Sequence, residues 1–179
     1  MKKSSSIYVI TPQTMLVEPR PYGTKIYSWV IEEDTSFLLP VKPTILIKQS
    51  CLAYGSTYEG RRDATKLVSS LATKTPILIE GMYLFPTLSP ANRECIWVSL
   101  NHIDHSVSNG MKHTDLLFKN GVRRTLALSN RSFQSQIKKT MMFQLKITEG
   151  FKTGDIGTSI SDPPMKASES SSPYDLQHT

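Results

Sequence analysis

Short apolar runs separated by turn-forming residues fill the first forty positions of the chain. The runs occupy residues 7–10, 15–17, 26–31 and 37–39. Between them stand residues that interrupt regular structure, namely Pro12, Pro19, Pro21, Gly23 and Pro40. Runs of this length, bounded by proline and glycine, are typical of β-strands. We therefore predict short N-terminal strands with breaks at the prolines.

Two helices are predicted next. Pro43 suits the first position of a helix extending to Tyr54, although residues 44–47 would fit a buried strand nearly as well. Gly55 ends that element, and residues 56–59 match a capping box, in which a Ser hydroxyl and a Glu carboxylate reciprocally satisfy free amides at a helix start. The spacing of apolar residues predicts the buried face of the second helix, which contains Ala64, Leu67, Val68 and Leu71.

The clearest local signal lies between residues 94 and 129, after two further predicted strands at 77–80 and 83–85. Asn109-Gly110 and Asn120-Gly121 there separate three segments that suit strands. Asn-Gly adopts the positive φ that tight hairpin turns demand, so this spacing predicts a three-stranded antiparallel meander. Alternation places three sets of residues on single strand faces: Ile96, Val98 and Leu100; Arg124, Leu126 and Leu128; and, opposite the second set, Arg123, Thr125 and Ala127.

A final amphipathic helix is predicted over residues 131–147. Its apolar side is predicted from residues at intervals of four, namely Phe133, Ile137, Met141 and Leu145. The opposite stripe contains Arg131, Ser135, Lys138, Lys139, Met142 and Lys146, and spans roughly 100° of arc. Phe143 fits neither side. Four cations would therefore share one outer surface.

The sequence as a whole predicts one α+β domain followed by a tail. The domain covers residues 1–149, with antiparallel sheets formed by the N-terminal short strands and the C-terminal three-stranded meander, and with two or three helices. Residues 150–179 are rich in serine and proline and poor in apolar side chains. Such a segment buries too little surface to offset its ordering entropy, so we predict a disordered tail.

Charge is unevenly distributed along the chain. The net charge is +6, but residues 1–149 hold 19 Lys and Arg against 11 Asp and Glu, whereas residues 150–179 hold 2 against 4. A domain with this excess attracts polyanions, which makes nucleic acid or an anionic membrane surface a natural partner class. A merely soluble basic domain is the alternative. Neither a signal peptide nor a membrane-spanning stretch is recognisable, and Cys51 and Cys95 suit reduced buried thiols, so we expect a cytoplasmic protein.

The basic side chains form three clusters, which we predict as nucleic-acid contacts. The first, on the capped helix, comprises Arg61, Arg62 and Lys66; the second, beside a turn, Arg123 and Arg124; the third, on the last helix, Arg131, Lys138, Lys139 and Lys146. A planar guanidinium suits phosphate and enters a narrow minor groove. Arg61 and Arg62 have an equally good alternative as solvated surface residues. Arg124 shares a strand face with apolar residues, so Arg123 is the better candidate of that pair.

No constellation predicts catalysis or a cofactor. Residues 55–60 begin like a phosphate-binding loop, but two arginines follow where Lys and then Ser or Thr would be required. A metal site could draw on His102, Asp104, His105, His113 and Asp115. Strand residues three apart point to opposite faces, so His102 and His105 cannot easily share an ion. We predict no metal, no cofactor and no enzymatic activity.

Several ordered motifs resemble the competence transcription factor (ComK) family. Residues 50–62 resemble the family's S-C-x-x-(Y/F)-G-S-x-Y-x-G-R-(K/R) segment, which here contains Ser50, Cys51, Gly55, Ser56, Tyr58 and Gly60. Further matches follow in order at Phe85 and Pro86, at Trp97, at Asn120 and Gly121, and at Phe133. The chain departs from the family after residue 151, where it becomes serine-rich instead of continuing with an aromatic and charged extension.

The resemblance implies a transcriptional activator of DNA-uptake genes. Its implied partners are double-stranded AT-rich DNA, approached from the minor-groove side, further copies of itself, a proteolytic adaptor and RNA polymerase, with no membrane partner. This fits the charge pattern, because minor-groove readout mainly separates A·T from G·C pairs. The implied location is the bacterial cytoplasm, in association with the nucleoid. The alternative is a diverged module that no longer activates and instead sequesters a paralogue or the adaptor; an RNA-binding role ranks third.

Overall fold

A computed structural model describes residues 8–153 of the chain. Within them, the first sheet contains β1 Thr14–Tyr22, β2 Lys25–Glu32, β3 Ser36–Leu39, β4 Ile77–Ile79, β5 Met82–Pro86 and β6 Trp97–Ser99. The second contains β7 Ile103–Asn109, β8 His113–Phe118 and β9 Arg123–Leu126. The helices are α1 Pro43–Ala53, α2 Tyr58–Ser69 and α3 Asn130–Thr153. The predicted α+β class, with antiparallel sheets and three helices, is confirmed.

The six-stranded sheet is the central layer, and it buries both faces where β1, β6 and β5 lie side by side. Its strand order is β3-β2-β1-β6-β5-β4, with every neighbouring pair antiparallel. Successive residues alternate between two cores: Val17 and Trp97 pack with α1 and α2, whereas Leu16 and Val98 pack with α3 and the smaller sheet. Because both faces are covered, these strands appear in the sequence as continuous apolar runs.

The N-terminal strands differ from the prediction at the prolines. β1 continues through Pro19 and Pro21, because its second neighbour, β6, pairs only with Leu16 and Val17. Beyond Val17, no strand within residues 8–153 lies beside the outer edge of β1, so a missing N–H removes no ladder hydrogen bond. The first predicted strand, residues 7–10, is wrong in its described part: residues 8–10 form no strand.

The segment that precedes β1 is instead a buried stretch held by α1. Ile10 is fully buried; its amide donates to the Ser50 hydroxyl at 3.0 Å, and its carbonyl accepts from the Tyr54 hydroxyl at 3.0 Å. Side chains of the first helix therefore satisfy the backbone that a neighbouring strand would otherwise satisfy. Pro43 begins α1, as predicted.

The turn between α1 and α2 has Gly55 in the left-handed region, with φ of 77°. The Gly55 amide donates to the Leu52 carbonyl and the Ser56 amide to the Cys51 carbonyl, the pair of bonds of a Schellman motif. The predicted cap is wrong by one residue. Ser56 closes the preceding helix, and Thr57 caps α2, accepting from the Gly60 amide at 3.0 Å.

The buried face of α2 was also predicted wrongly. Leu67 is 78% exposed and Ala64 is exposed, whereas Tyr58 and Thr65 are buried. The inner face of this helix contains polar groups that hydrogen-bond internally, including Thr65, whose hydroxyl donates to the Arg61 carbonyl at 3.0 Å. Counting apolar residues cannot identify a face of this kind.

The meander is confirmed, with order β7-β8-β9 and glycines at positive φ in both turns. Its first strand, however, is β7. The alternating residues Ile96, Val98 and Leu100 belong to β6 and its flanks, and β6 pairs with β1 and β5. A short 3-10 turn at Leu100–His102 carries the chain from one sheet to the other. Alternation identifies a strand but not its sheet.

The core stripe of α3 differs from the predicted one. Phe133 and Ile137 are buried as expected, but Met141 and Leu145 are 53% and 49% exposed, and Phe143 is 2% exposed. Each step of four residues overshoots a full turn by about 40°, so three such steps leave the buried face. α3 also continues to Thr153, past the predicted end, and residues 154–179 of the predicted tail lie outside the described residues.

Candidate nucleic-acid interface

A basic groove runs between the carboxyl end of α2 and one side of α3. Its cations are the predicted stripe of the last helix: Arg131, Lys138, Lys139 and Lys146. Ser69 and Leu71 form the facing wall, most of the lining surface, including Met142, is apolar, and the volume of this open groove is about 570 Å³. No carboxylate lines this groove within residues 8–153. This surface, called the α2/α3 groove below, is suited to an extended anion.

The cations of the groove are available to a ligand. None of Arg131, Lys138 and Lys139 forms an ion pair within the described part of the chain. Lys146 donates to the Val68 carbonyl at 3.3 Å, so it also holds α3 against α2. From Arg131 to Lys146 the helix rises about 22 Å, which is the axial length of about six nucleotides of one B-DNA strand.

Arg61 is used inside the fold. Its Nη2 donates to the Tyr54 carbonyl at 2.9 Å, and its Nη1 donates to the Leu78 carbonyl. β4 is the edge strand of the large sheet, so the Leu78 carbonyl has to find its partner outside the sheet. Arg61 therefore joins α2 to the end of α1 and to the edge of the sheet, and the structure does not bring it to the α2/α3 groove.

Arg62 and Lys66 lie on α2 outside the groove, among acidic residues. The Arg62 guanidinium is 5.9 Å from the centre of the Tyr58 ring. Lys66 pairs with Asp63 at 3.1 Å. Lys48 of α1, which the sequence reasoning missed because nothing links it to the α2 cluster, pairs with Glu59 at 2.6 Å. That hydrogen bond is the main reason why the pKa of the Glu59 carboxyl is lowered.

Arg123 and Arg124 lie on opposite faces of β9. Arg123 is exposed, and Arg124 is half-buried, with its Nε enclosed and without a hydrogen-bond partner among the described residues. Asp115 is close by, and its pKa is lowered by hydrogen bonds from the Thr125 hydroxyl and the Asn109 amide, with the Arg123 charge adding to them. Both arginines line a separate cavity of about 300 Å³. The three predicted clusters thus do not form one continuous basic surface; only the third is brought together.

The residues that carry the family resemblance are buried or form turns. Tyr58 packs edge-on against Trp97 with ring centres 6.0 Å apart, and Phe85 packs against Phe133 at 5.7 Å. The other motif residues also have structural roles. Ser50 holds the segment before β1, Cys51 is fully buried, and Gly55 and Ser56 form the turn before α2. Gly60, in the first turn of α2, donates its amide to the Thr57 cap, Pro86 pairs with Trp97, and Asn120 and Gly121 form the second turn of the meander. The motif therefore specifies the fold.

The residues considered for metal binding or RNA stacking have structural roles instead. His102, 8% exposed, places Nε2 2.7 Å from the Pro12 carbonyl and Nδ1 3.3 Å from the Glu33 carboxylate. No group of three potential metal ligands is present in residues 8–153. Trp97 and Phe118 are buried, as predicted, and cannot act as stacking platforms for RNA. No helix among the described residues has the length and apolar content of a membrane span.

Comparisons with known proteins show the family of this chain. The family model described as ComK protein matches residues 5–152. The competence transcription factor of Bacillus subtilis (strain 168) is 32% identical over 145 residues, which cover 79% of this chain and 76% of that protein. No solved structure matches the chain. With the family model covering most of its length, this chain belongs to the ComK family.

Proposed function

We propose that this chain is a DNA-binding transcriptional regulator of competence genes, and that the α2/α3 groove binds the sugar-phosphate backbone. The observation that carries the proposal is the groove itself, which four cations line and where the described part of the chain places no carboxylate. Phosphate contacts of this kind supply nearly all of the non-specific affinity and a large share of the specific affinity of DNA-binding proteins, and they fix the register on the duplex. Membership of a family that includes a competence transcription factor supports the regulatory role.

Arg131 is the cation that we propose for groove-specific recognition. It is the only guanidinium in the lining of the α2/α3 groove within residues 8–153, at the amino end of the lysine stripe. A guanidinium inserts into the narrow, electronegative minor groove of A-tracts, whereas lysines serve as point charges on the backbone. This division supports a preference for AT-rich promoter boxes read from the minor-groove side.

The remaining parts of the proposal rest on the family. We propose that copies of the chain bind together on the promoter, that a proteolytic adaptor and RNA polymerase are further partners, and that the protein acts in the cytoplasm at the nucleoid. Arg62, Lys66, Arg123 and Arg124 remain predictions as secondary DNA contacts, since each lies outside the α2/α3 groove. We assign Arg61 a role in stabilising the fold and not in binding DNA.

Fluorescence anisotropy with an AT-rich and a GC-rich duplex of equal length tests the proposal. Lys138→Gln with Lys139→Gln should weaken binding to both duplexes equally, because phosphates carry no sequence. Arg131→Gln should in addition reduce the preference for AT-rich DNA. The control is Lys25→Gln with Lys112→Gln, two exposed lysines outside the groove with the same change in charge. Equal weakening by the control would remove the groove from the site, and a wild-type chain that binds no duplex would favour the sequestering alternative.

A further inference from the structure

The chain that follows α3 is acidic. Residues 154–179 contain Asp155, Asp162, Glu169 and Asp175 but only Lys166 as a cation, a net charge of −3. They are joined to the domain at Thr153, where α3 ends. Lys146, at the carboxyl end of the α2/α3 groove, is seven residues before that point. The acidic segment is therefore tethered beside the basic surface.

We propose that residues 154–179 bind in the α2/α3 groove and compete there with nucleic acid. The competition rests on the proposed function, but the intramolecular contact does not. The groove offers three cations without an ion pair in the described residues, and no carboxylate to repel an incoming one. Leu71 and Met142 give its surface an apolar component, which Ile156, Ile160 and Met165 of the segment complement.

The length of the segment permits this contact. Arg131, at the far end of the groove, lies about 33 Å along α3 from Thr153. An extended chain covers about 3.3 Å per residue, so Asp162, nine residues beyond Thr153, reaches back about 30 Å. Glu169 has further length to spare. Both carboxylates can thus reach the middle of the groove, at Lys138 and Lys139.

The charge of the groove also favours residues 154–179, rather than a second copy of the domain, as its occupant. A second α2/α3 groove would bring four more cations against the first four, and like charges at close range repel. A tethered segment has a high effective concentration, so weak individual ion pairs suffice for substantial occupancy. Nucleic acid, with a denser line of charge, displaces it. The result is a domain that binds short or poorly matched duplexes less readily.

The contact is tested by cross-linking in the full chain. Ser168→Cys supplies a thiol for a photoreactive maleimide, and the native thiols compete little because Cys51 and Cys95 are buried and burial raises the pKa of both. Irradiation without DNA should link this position to residues 69–71 or 131–146. The links should disappear when Asp155→Asn, Asp162→Asn, Glu169→Gln and Asp175→Asn are added. They should persist in a matched control with Ser159→Asn, Ser161→Asn, Ser170→Asn and Ser172→Asn.

Links spread over other surfaces, links unaffected by neutralisation, or links between isotopically light and heavy chains would each overturn the contact. Competition is measured separately, as affinity for a short AT-rich duplex. The neutralised chain should bind about three- to tenfold more tightly at low salt, because a few exposed ion pairs are removed, and the gain should vanish at high salt. Equal affinities of the neutralised and control chains would refute the competition. If neither binds DNA, the proposed function fails, while the cross-links still decide the contact.

Discussion

Replacing Arg61 tests whether this side chain stabilises the fold, as the structure indicates, or binds phosphate, as the sequence pattern suggests. In the structure its guanidinium bonds the Tyr54 carbonyl at the end of α1 and the Leu78 carbonyl at the edge of the large sheet. Hydrogen bonds from a charged donor contribute about 1.5–3 kcal/mol each. Arg61 is only partly buried, so water replaces some of each bond, and we take the lower end of that range. Arg61→Ala should lower the free energy of unfolding by about 3 kcal/mol.

Arg62→Ala is the matched control, since it makes the same change in charge at the next position. The Arg62 guanidinium lies 5.9 Å from the centre of the Tyr58 ring, and a cation–π interaction of this kind is worth about 0.5–1 kcal/mol. Arg62→Ala should therefore lower the free energy of unfolding by only that amount. Arg61→Lys should be nearly as unstable as Arg61→Ala, because an ammonium cannot bond two separated carbonyls in the geometry of a fork.

Urea unfolding followed by the fluorescence of the buried Trp97 and the half-buried Trp29 measures these differences. Duplex binding is measured on the same variants under conditions where each is folded. We expect Arg61→Ala to unfold at a clearly lower urea concentration and, while folded, to bind DNA as the wild-type chain does. Unchanged stability together with lost DNA binding would refute the structural role and restore Arg61 as a phosphate contact.

Three further outcomes are expected. Four groove cations should contribute about −3.6 to the slope of log affinity against log salt, and Lys138→Gln with Lys139→Gln should make that slope shallower by about 1.8 in an anisotropy titration; an unchanged slope would contradict the phosphate role. Cys51 and Cys95 should react with a thiol reagent at pH 8 only on unfolding, since burial raises the pKa of Cys51 and brings that of Cys95 to about 11; prompt reaction of the folded chain would show an accessible thiol. Leu67→Gln should change the free energy of unfolding by less than about 0.5 kcal/mol in urea titrations, because that side chain is 78% exposed, and a larger loss would mean that it is packed.

Local signals predicted the elements of this fold well. Pro43 begins a helix, the two Asn-Gly turns bound a meander, and continuous apolar runs mark strands whose two faces are both covered. These features depend on φ preferences and on burial within a few residues. These features can be predicted from the sequence because neighbouring residues alone exclude the competing conformations.

Pairing and helix orientation depend on distant parts of the chain, and there the sequence was a weaker guide. β6 has the alternation expected of a meander strand, yet its partners are β1 and β5. The inner face of α2 is polar because Arg61 bonds carbonyls of other elements, which no apolar count reveals. Leu71 was predicted on the buried face of α2, and nothing in the sequence places Ser69 or Leu71 opposite the cations of α3 as a wall of the groove.

The candidate site and the family motif consist of different residues. The resemblance in the motif is therefore evidence for the fold and not, by itself, for DNA binding. The motif from Ser50 to Gly60 builds a buried turn between two helices. The groove cations from Arg131 to Lys146 follow a helical period and contribute little to the core. A chain could keep every motif residue and still lose the charges that hold DNA, or gain an acidic segment that covers them. Family membership therefore establishes the scaffold, and DNA binding by this chain depends on whether the α2/α3 groove meets phosphate.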